Sequence, residues 1–134
     1  VPERLASLDS ASAPSPVRVP RARDGMFYIT AHINGRPIRF LVDTGASVVV
    51  LSMRDAQSAQ LVDGPIHYDS VMRTVNGNAR AATTSIGQLE VAGRALAGVD
   101  AAIVDRGIDV SLMGQAALAR LASLSIEGDQ LTLQ

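Results

Sequence analysis

An all-β domain is the fold class this sequence predicts, and three observations predict it. Short β-branched or alternating apolar runs recur along the chain, Asn-Gly and similar turn signals separate them, and a single segment stands out as a strong helix former. Many short strands with regular turns indicate a small barrel or sandwich. The 134 residues, 47% of them hydrophobic, suit one domain of ordinary size with a real core.

Residues 1–24 hold four of the six prolines, around SASAPSPVRVP, and read as a flexible Pro/Ala/Ser-rich tether ahead of a domain at 25–134. MFYITAHI (26–33) and RPIRFLV (36–42) flank Asn34-Gly35, the dipeptide that favours a type I′ hairpin turn because both central residues need φ > 0. SVVVLS (47–52) is a buried-strand run, and RDAQSAQL (54–61) suits a short helix. A second hairpin centres on VNGN (75–78), with arms near 66–74 and 79–86. QLEVAG and RALAGVDAAIVD are strand-like and are split by Gly93. GQAALARLA (114–122) is the strongest helix candidate, and the tail LSIEGDQLTLQ reads as two strands around Gly128-Asp129.

Composition excludes several function classes. A formal charge of −1 gives no argument for nucleic acid or an anionic membrane surface. The absence of cysteine removes disulfides, thiol catalysis and thiolate-bound metals. His32 and His67 stand alone, so no metal site is expected. All twelve basic residues are arginine, which hints at a GC-rich bacterial genome. No apolar run approaches the roughly 20 residues of a membrane span, and no signal peptide is visible. The first residue is valine, so a native anchor outside this chain fits the expectation.

The residue that raises a functional question is Asp43, in FLVDTGAS (40–47). Burying a carboxylate is expensive unless it is paired or hydrogen-bonded. An isolated Asp-Thr-Gly is ordinary turn chemistry. Here an apolar run precedes it and VVVLS follows, which places the turn between two buried strands and inside the protein. Phospho-aspartyl or actin-like phosphate chemistry would need a second phosphate loop, and no Walker-type glycine loop occurs. Metal hydrolysis would need a ligand cluster. A third option is a pair of carboxylates sharing a proton and activating water against a peptide carbonyl.

DGMFYITAHINGRPIRFLVDTGASVVVLS, then TVNG, then SLMGQAALARL, resembles in order and spacing the retropepsin-like aspartic proteases, in particular the bacterial Asp-Thr-Gly-Ala branch, over about residues 24–133. The resemblance implies a closed β-barrel with one short C-terminal helix, working as a homodimer without cofactor or metal. It makes Asp43 the catalytic residue within an active-site loop of Thr44, Gly45, Ala46 and Ser47. Thr44 would bond across to its counterpart. Val75, Asn76, Gly77 and Asn78 would form the flap, and Leu112, Met113 and Gly114 the strand behind the loop.

Where relatives carry an aromatic in the last helix, this chain has Ala116 and Ala117. Ser47 and Gln115 occupy positions that hold an ion pair in viral members, and both are neutral. No second aspartate lies in a comparable setting, so the second carboxylate is expected from a symmetry mate. The implied function is hydrolysis of polypeptide substrates by an aspartic endopeptidase, with periplasmic, membrane-anchored display. The alternative is a retropepsin-fold dimerisation or peptide-binding module with little turnover, and a protease switched on by a partner also fits.

Overall fold

Turn chemistry and alternation set the register of a closed barrel. The computed structural model describes residues 15–134. Its strands are β1 (Val17–Pro20), β2 (Tyr28–Ile33), β3 (Arg36–Val42), β4 (Val49–Leu51), β5 (Ser70–Thr74), β6 (Gly77–Val91), β7 (Arg94–Val104), β8 (Ser111–Met113), β9 (Leu124–Glu127) and β10 (Gln130–Leu133). Among the described residues there are also two short helices, α1 (Met53–Ser58) and α2 (Gln115–Leu118).

β2 and β3 meet at Asn34-Gly35, whose φ values of 50° and 84° fit the type I′ turn. Ile29, Ala31 and Ile33 point inward, as do Ile38 and Phe40 across the hairpin. One sheet runs β2-β3-β8-β4-β7-β6-β5, and β2 also pairs with β6 through His32–Glu90 and Ile33–Leu89. That pairing closes a six-stranded barrel and leaves β5 as an extra strand on β6. β8 lies between β3, to which it is parallel, and β4, to which it is antiparallel. The core inside is built from Phe40, Leu51, Ile86, Leu89, Val99 and Met113 among others. A smaller cluster of Val50, Ala79, Ala81, Ala102 and Val104 lies apart, with Met72 and Leu112 packed against it.

The folded part begins before residue 25. Residues 1–14 of the expected tether lie outside the described residues, but Val17–Pro20 forms β1 and pairs with β10 in a second sheet, β1-β10-β9. Val17 and Val19 are β-branched at alternate positions, and Val19 packs on the core. Pro20 is tolerated because β1 is an edge strand. The side chain of Arg21 then pairs with Asp129 at 3.1 Å and donates to the carbonyls of Gly25 and Gly128.

The expected strand starting at 66 begins only at Ser70, and β6 runs on to Val91. Ala92-Gly93 is a full hairpin turn, with Ala92 at φ 52°. The 114–122 helix is shorter than its alanine content suggests. It ends at Leu118, where Arg120 and Leu121 donate to the carbonyls of Ala117 and Leu118 and tighten the last turn toward β9. The short helix expected at 54–61 is α1, so among the described residues the C-terminal helix of the fold expectation is accompanied by one other.

Candidate active site

Asp43 follows β3 directly, and its amide donates to the Met113 carbonyl at 3.0 Å. The loop that follows is held by both its own and neighbouring backbone. Ala46 N donates to Asp43 O, and Gly45 N donates to the Asp43 carboxylate at 3.0 Å. A Cβ on Gly45 would stand 3.3 Å from that carboxylate oxygen, so a bare backbone suits the position. From the other side, Gln115 N and Ala116 N donate to the carbonyls of Ala46 and Ser47. The Gln115 side-chain amide donates to Thr44 O at 3.0 Å, so this neutral residue braces the loop without an ion pair.

Gly114 is the keystone of this contact. A Cβ there would lie 2.2 Å from the Val48 carbonyl oxygen and 2.7 Å from that of Ala46. Both obstacles are backbone, so only glycine lets the β8–α2 junction lie so close to the Asp43 loop. Met113 is fully buried in the core, and Leu112 is half-buried and faces the cleft instead. Of the two alanines where relatives carry an aromatic, Ala117 is fully buried and Ala116 packs partly buried against the core.

One expectation needs correcting. The turn does not lie inside the single chain. Asp43 is half-buried, and Thr44, Gly45 and Ser47 are exposed. β3 and β4 are buried on either side, but the loop between them reaches the surface. Among the described residues no hydrogen bond involves the Thr44 hydroxyl.

Asp43 lies where two hollows meet. One is a cleft of about 480 Å³ roofed by the β5–β6 hairpin, with Tyr28, Leu41, Val50 and Leu112 among its walls. The other, about 300 Å³, lies along Gly45 to Val48 and shares Met72 and Arg73 with the first. The hairpin tip falls where the sequence predicts it. Thr74 pairs with Gly77, Gly77 has φ 102°, and Val75 is 94% exposed. Within the tip, the Thr74 hydroxyl donates to Gly77 O at 2.7 Å and accepts from Asn76 N at 3.1 Å.

The far wall of the cleft is the segment 105–110, which sequence reasoning missed. Gly107, Ile108, Asp109 and Val110 all line the cleft. At its start, Asp105 accepts from both Arg80 N and Arg80 Nε at 2.9 Å, at the foot of the hairpin. The Arg80 guanidinium holds the Asp105 carboxyl below its ordinary range and also lies 4.5 Å over the Tyr68 ring. The backbone amide of Thr83 does the same for Asp69. At the cleft mouth, Tyr28 donates to Asp24 and carries the Arg39 guanidinium 3.9 Å over its ring. That hydroxyl is the main cause lowering the Asp24 carboxyl. The only advance signal for the missed wall was the Asp-Arg-Gly turn at 105–107 after an apolar strand.

Comparison with known proteins agrees with this arrangement. Residues 29–120 match the family described as “gag-polyprotein putative aspartyl protease”. Two uncharacterised bacterial proteins are similar. One, from Sinorhizobium sp., is encoded in the cobV 5′ region and is 28% identical across 100% of this chain and 58% of its own length. The other, RP867 of Rickettsia prowazekii, is 33% identical across 86% of this chain and 49% of its own. The chain thus spans about half the length of these curated relatives. Among solved structures, a retropepsin-like aspartic protease from Rickettsia conorii superposes with a TM-score of 0.79 at 33% identity, covering 89% of this chain and 98% of that one. The EIAV protease, solved with the inhibitor HBY-793, shares the fold at a TM-score of 0.56 and 24% identity, over 69% of this chain and 84% of that one. With a six-stranded barrel, an Asp-Thr-Gly loop braced by a Gly-helix junction and a hairpin over the cleft, the chain belongs to the retropepsin-like aspartic proteases.

Proposed function

We propose that the chain is an aspartic endopeptidase in which Asp43 supplies one carboxylate of a catalytic pair and a second copy of the chain supplies the other. The observation that carries this reading is the position of Asp43 at the junction of two hollows, on a loop with Thr44 and Gly45 exposed and the Thr44 hydroxyl free of any bond among the described residues. A loop so firmly braced from behind and so bare in front suits a surface completed by a symmetry mate.

In that pair two like charges in contact hold one proton between them. The charged member takes a proton from a bound water as the water attacks the peptide carbonyl. The protonated member bonds to the carbonyl oxygen as charge develops there. Breakdown of the tetrahedral intermediate returns a proton to the leaving nitrogen, with no covalent intermediate. The substrate lies extended beneath the β5–β6 hairpin and pairs with it through backbone hydrogen bonds. The hairpin excludes water from the reacting centre.

The test compares wild type with Asp43→Asn and Asp109→Asn on a peptide library. Asp109 is the other aspartate lining the cleft. Loss of hydrolysis in Asp43→Asn alone, together with poisoning of wild type by excess Asp43→Asn chains, fits the two-copy site. Hydrolysis retained in Asp43→Asn refutes the assignment, and loss in Asp109→Asn with monomeric activity points to a pair within one chain. For the whole protein we propose periplasmic display on a membrane anchor, on the strength of the proline- and alanine-rich residues ahead of β1. Fractionation of cells producing the full-length protein tests it.

A further inference from the structure

We infer that Asn76 is a positioning residue, which fastens the β5–β6 hairpin shut over the cleft by binding the 105–110 segment of its own chain. The inference rests on the endopeptidase reading for its kinetic consequence but not for its structural one. Three contacts carry it. At the hairpin foot, Arg80 N and Arg80 Nε both donate to the Asp105 carboxylate at 2.9 Å, and Asp105 N donates to Arg80 O at 3.0 Å. At the tip, the Asn76 side-chain amide donates to Gly107 O at 2.9 Å, across 31 residues of sequence. Between them, Gly107 lies so close to Thr74 that a Cβ there would stand 2.3 Å from the Thr74 hydroxyl oxygen. The segment 105–110 is therefore a strut, touching the hairpin at foot and tip through Asp105 and Gly107 while residues 107–110 form the cleft wall.

A two-stranded hairpin projecting with an exposed tip would be expected to sway freely. Here the Thr74 hydroxyl fixes the shape of the tip from within, by the two hydrogen bonds described above. Thr74 thereby aims the Asn76 side chain outward from the turn. Foot and tip differ in strength. The foot is a charge-assisted, doubly bonded contact, whereas the tip is one neutral hydrogen bond at an exposed residue. The tip is the contact that opens first. Substrate entry then requires breaking Asn76–Gly107 while Arg80–Asp105 holds, so that the hairpin hinges at its foot and recloses in register. Asn76 touches neither Asp43 nor the reacting atoms in this scheme, and its role is to set how often the cleft stands open.

The experiment compares wild type, Asn76→Ala and Asn76→Asp. The aspartate keeps the shape of the side chain but removes the donor and turns a charge toward a carbonyl. Hydrogen exchange of the 70–80 amides reads the fastening directly. Stopped-flow binding of a statine-type peptide, a mimic of the tetrahedral intermediate, reads the rate of entry. Losing one neutral hydrogen bond should raise both the tip exchange rate and the association rate by roughly 2- to 10-fold in Asn76→Ala, and at least as much in Asn76→Asp. The release rate should rise along with the association rate, so that KM changes less than either, and the unfolding midpoint should fall by no more than the loss of that one hydrogen bond allows. A purely structural role would shift the midpoint and leave both rates unmoved. Equal exchange at the tip in all three proteins overturns the strut, whatever the turnover shows. A wild type that never cleaves peptides overturns the endopeptidase reading, and the exchange measurement still decides the strut.

Discussion

Ser111→Ala should destabilise the protein far more than the loss of one oxygen atom suggests. Ser111 is fully buried at the start of β8. Its hydroxyl accepts from Ser52 N at 3.0 Å and donates to the Asp55 carboxylate at 2.6 Å. Ser52 caps α1, and its own hydroxyl accepts from Asp55 N at 3.1 Å. In an ordinary capping box the acidic side chain would return directly to the Ser52 amide. Here the Ser111 hydroxyl stands between them and ties α1 to the strand behind the Asp43 loop. Alanine leaves the Ser52 amide without a partner at a residue only 7% exposed, a penalty of about 1–3 kcal/mol. It also removes a hydrogen bond to a charged group, worth about 1.5–3 kcal/mol before discounting for the half-exposed Asp55, which water can partly resolvate. The two effects together come to about 3 kcal/mol, or a fall in Tm of roughly 10 °C for a domain of this size. Urea unfolding should show a lower midpoint at unchanged m, all at one protein concentration because self-association would move the midpoint. Ser125→Ala, on the exposed face of β9, is the control and should stay within about 0.5 kcal/mol. A Ser111→Ala loss as small as the control's would refute the relay.

Gly114→Ala should lower kcat well beyond its stability loss of about 1–3 kcal/mol, because the new methyl group can only be housed by displacing the Val48 and Ala46 carbonyls. Paired Tm and kcat measurements check this, and wild-type values for both would show that the loop is not held as described. Ala92→Asn should raise stability by about 0.5–1 kcal/mol, since alanine at φ 52° is strained and asparagine tolerates that region; an unfolding curve that moves the other way would put the half-buried methyl group ahead of the turn. Ala46→Ser places a hydroxyl in the Asp43 loop, where it favours a charged carboxylate, so the kcat/KM profile should move towards lower pH. An unmoved profile would count against that donor. For Asp105 the sign follows from its lowered carboxyl. Its contribution is complete above the ordinary value of 3.8 and is lost as pH falls through the still lower folded value. Hairpin exchange, corrected for intrinsic rates, should therefore stay flat from about pH 7 to 5 and rise only below about pH 4, a rise that Asp105→Asn should reduce to the part carried by Asp69.

What could be read in advance, and what could not, divides by distance along the chain. The Asn34-Gly35 turn, the Gly77 hairpin tip and the Asp43 loop announce themselves in a few consecutive residues, because the physics that fixes them is local: positive φ, strand alternation, a carboxylate capped by the next amides. The β1 strand was obscured because its prolines speak locally for a tether, whereas its partner, β10, lies at the other end of the chain. The Ser111 relay spans 56 and 59 residues, and the strut under the hairpin spans 25 and 31. Neither leaves a periodic trace, since a buried serine on a strand and a glycine after an arginine each have many commoner uses. Gly114 falls in between. Its place in the motif was legible, but the reason for it is two carbonyl oxygens from another turn, which only the folded chain brings against its Cα. The same separation explains why Asp43 could be singled out while the cleft wall opposite it could not. A carboxylate at the end of an apolar run is unusual for its immediate surroundings, and that shows in sequence. A wall need only be in the right place, and the barrel, closing through β2 and β6, is what puts it there.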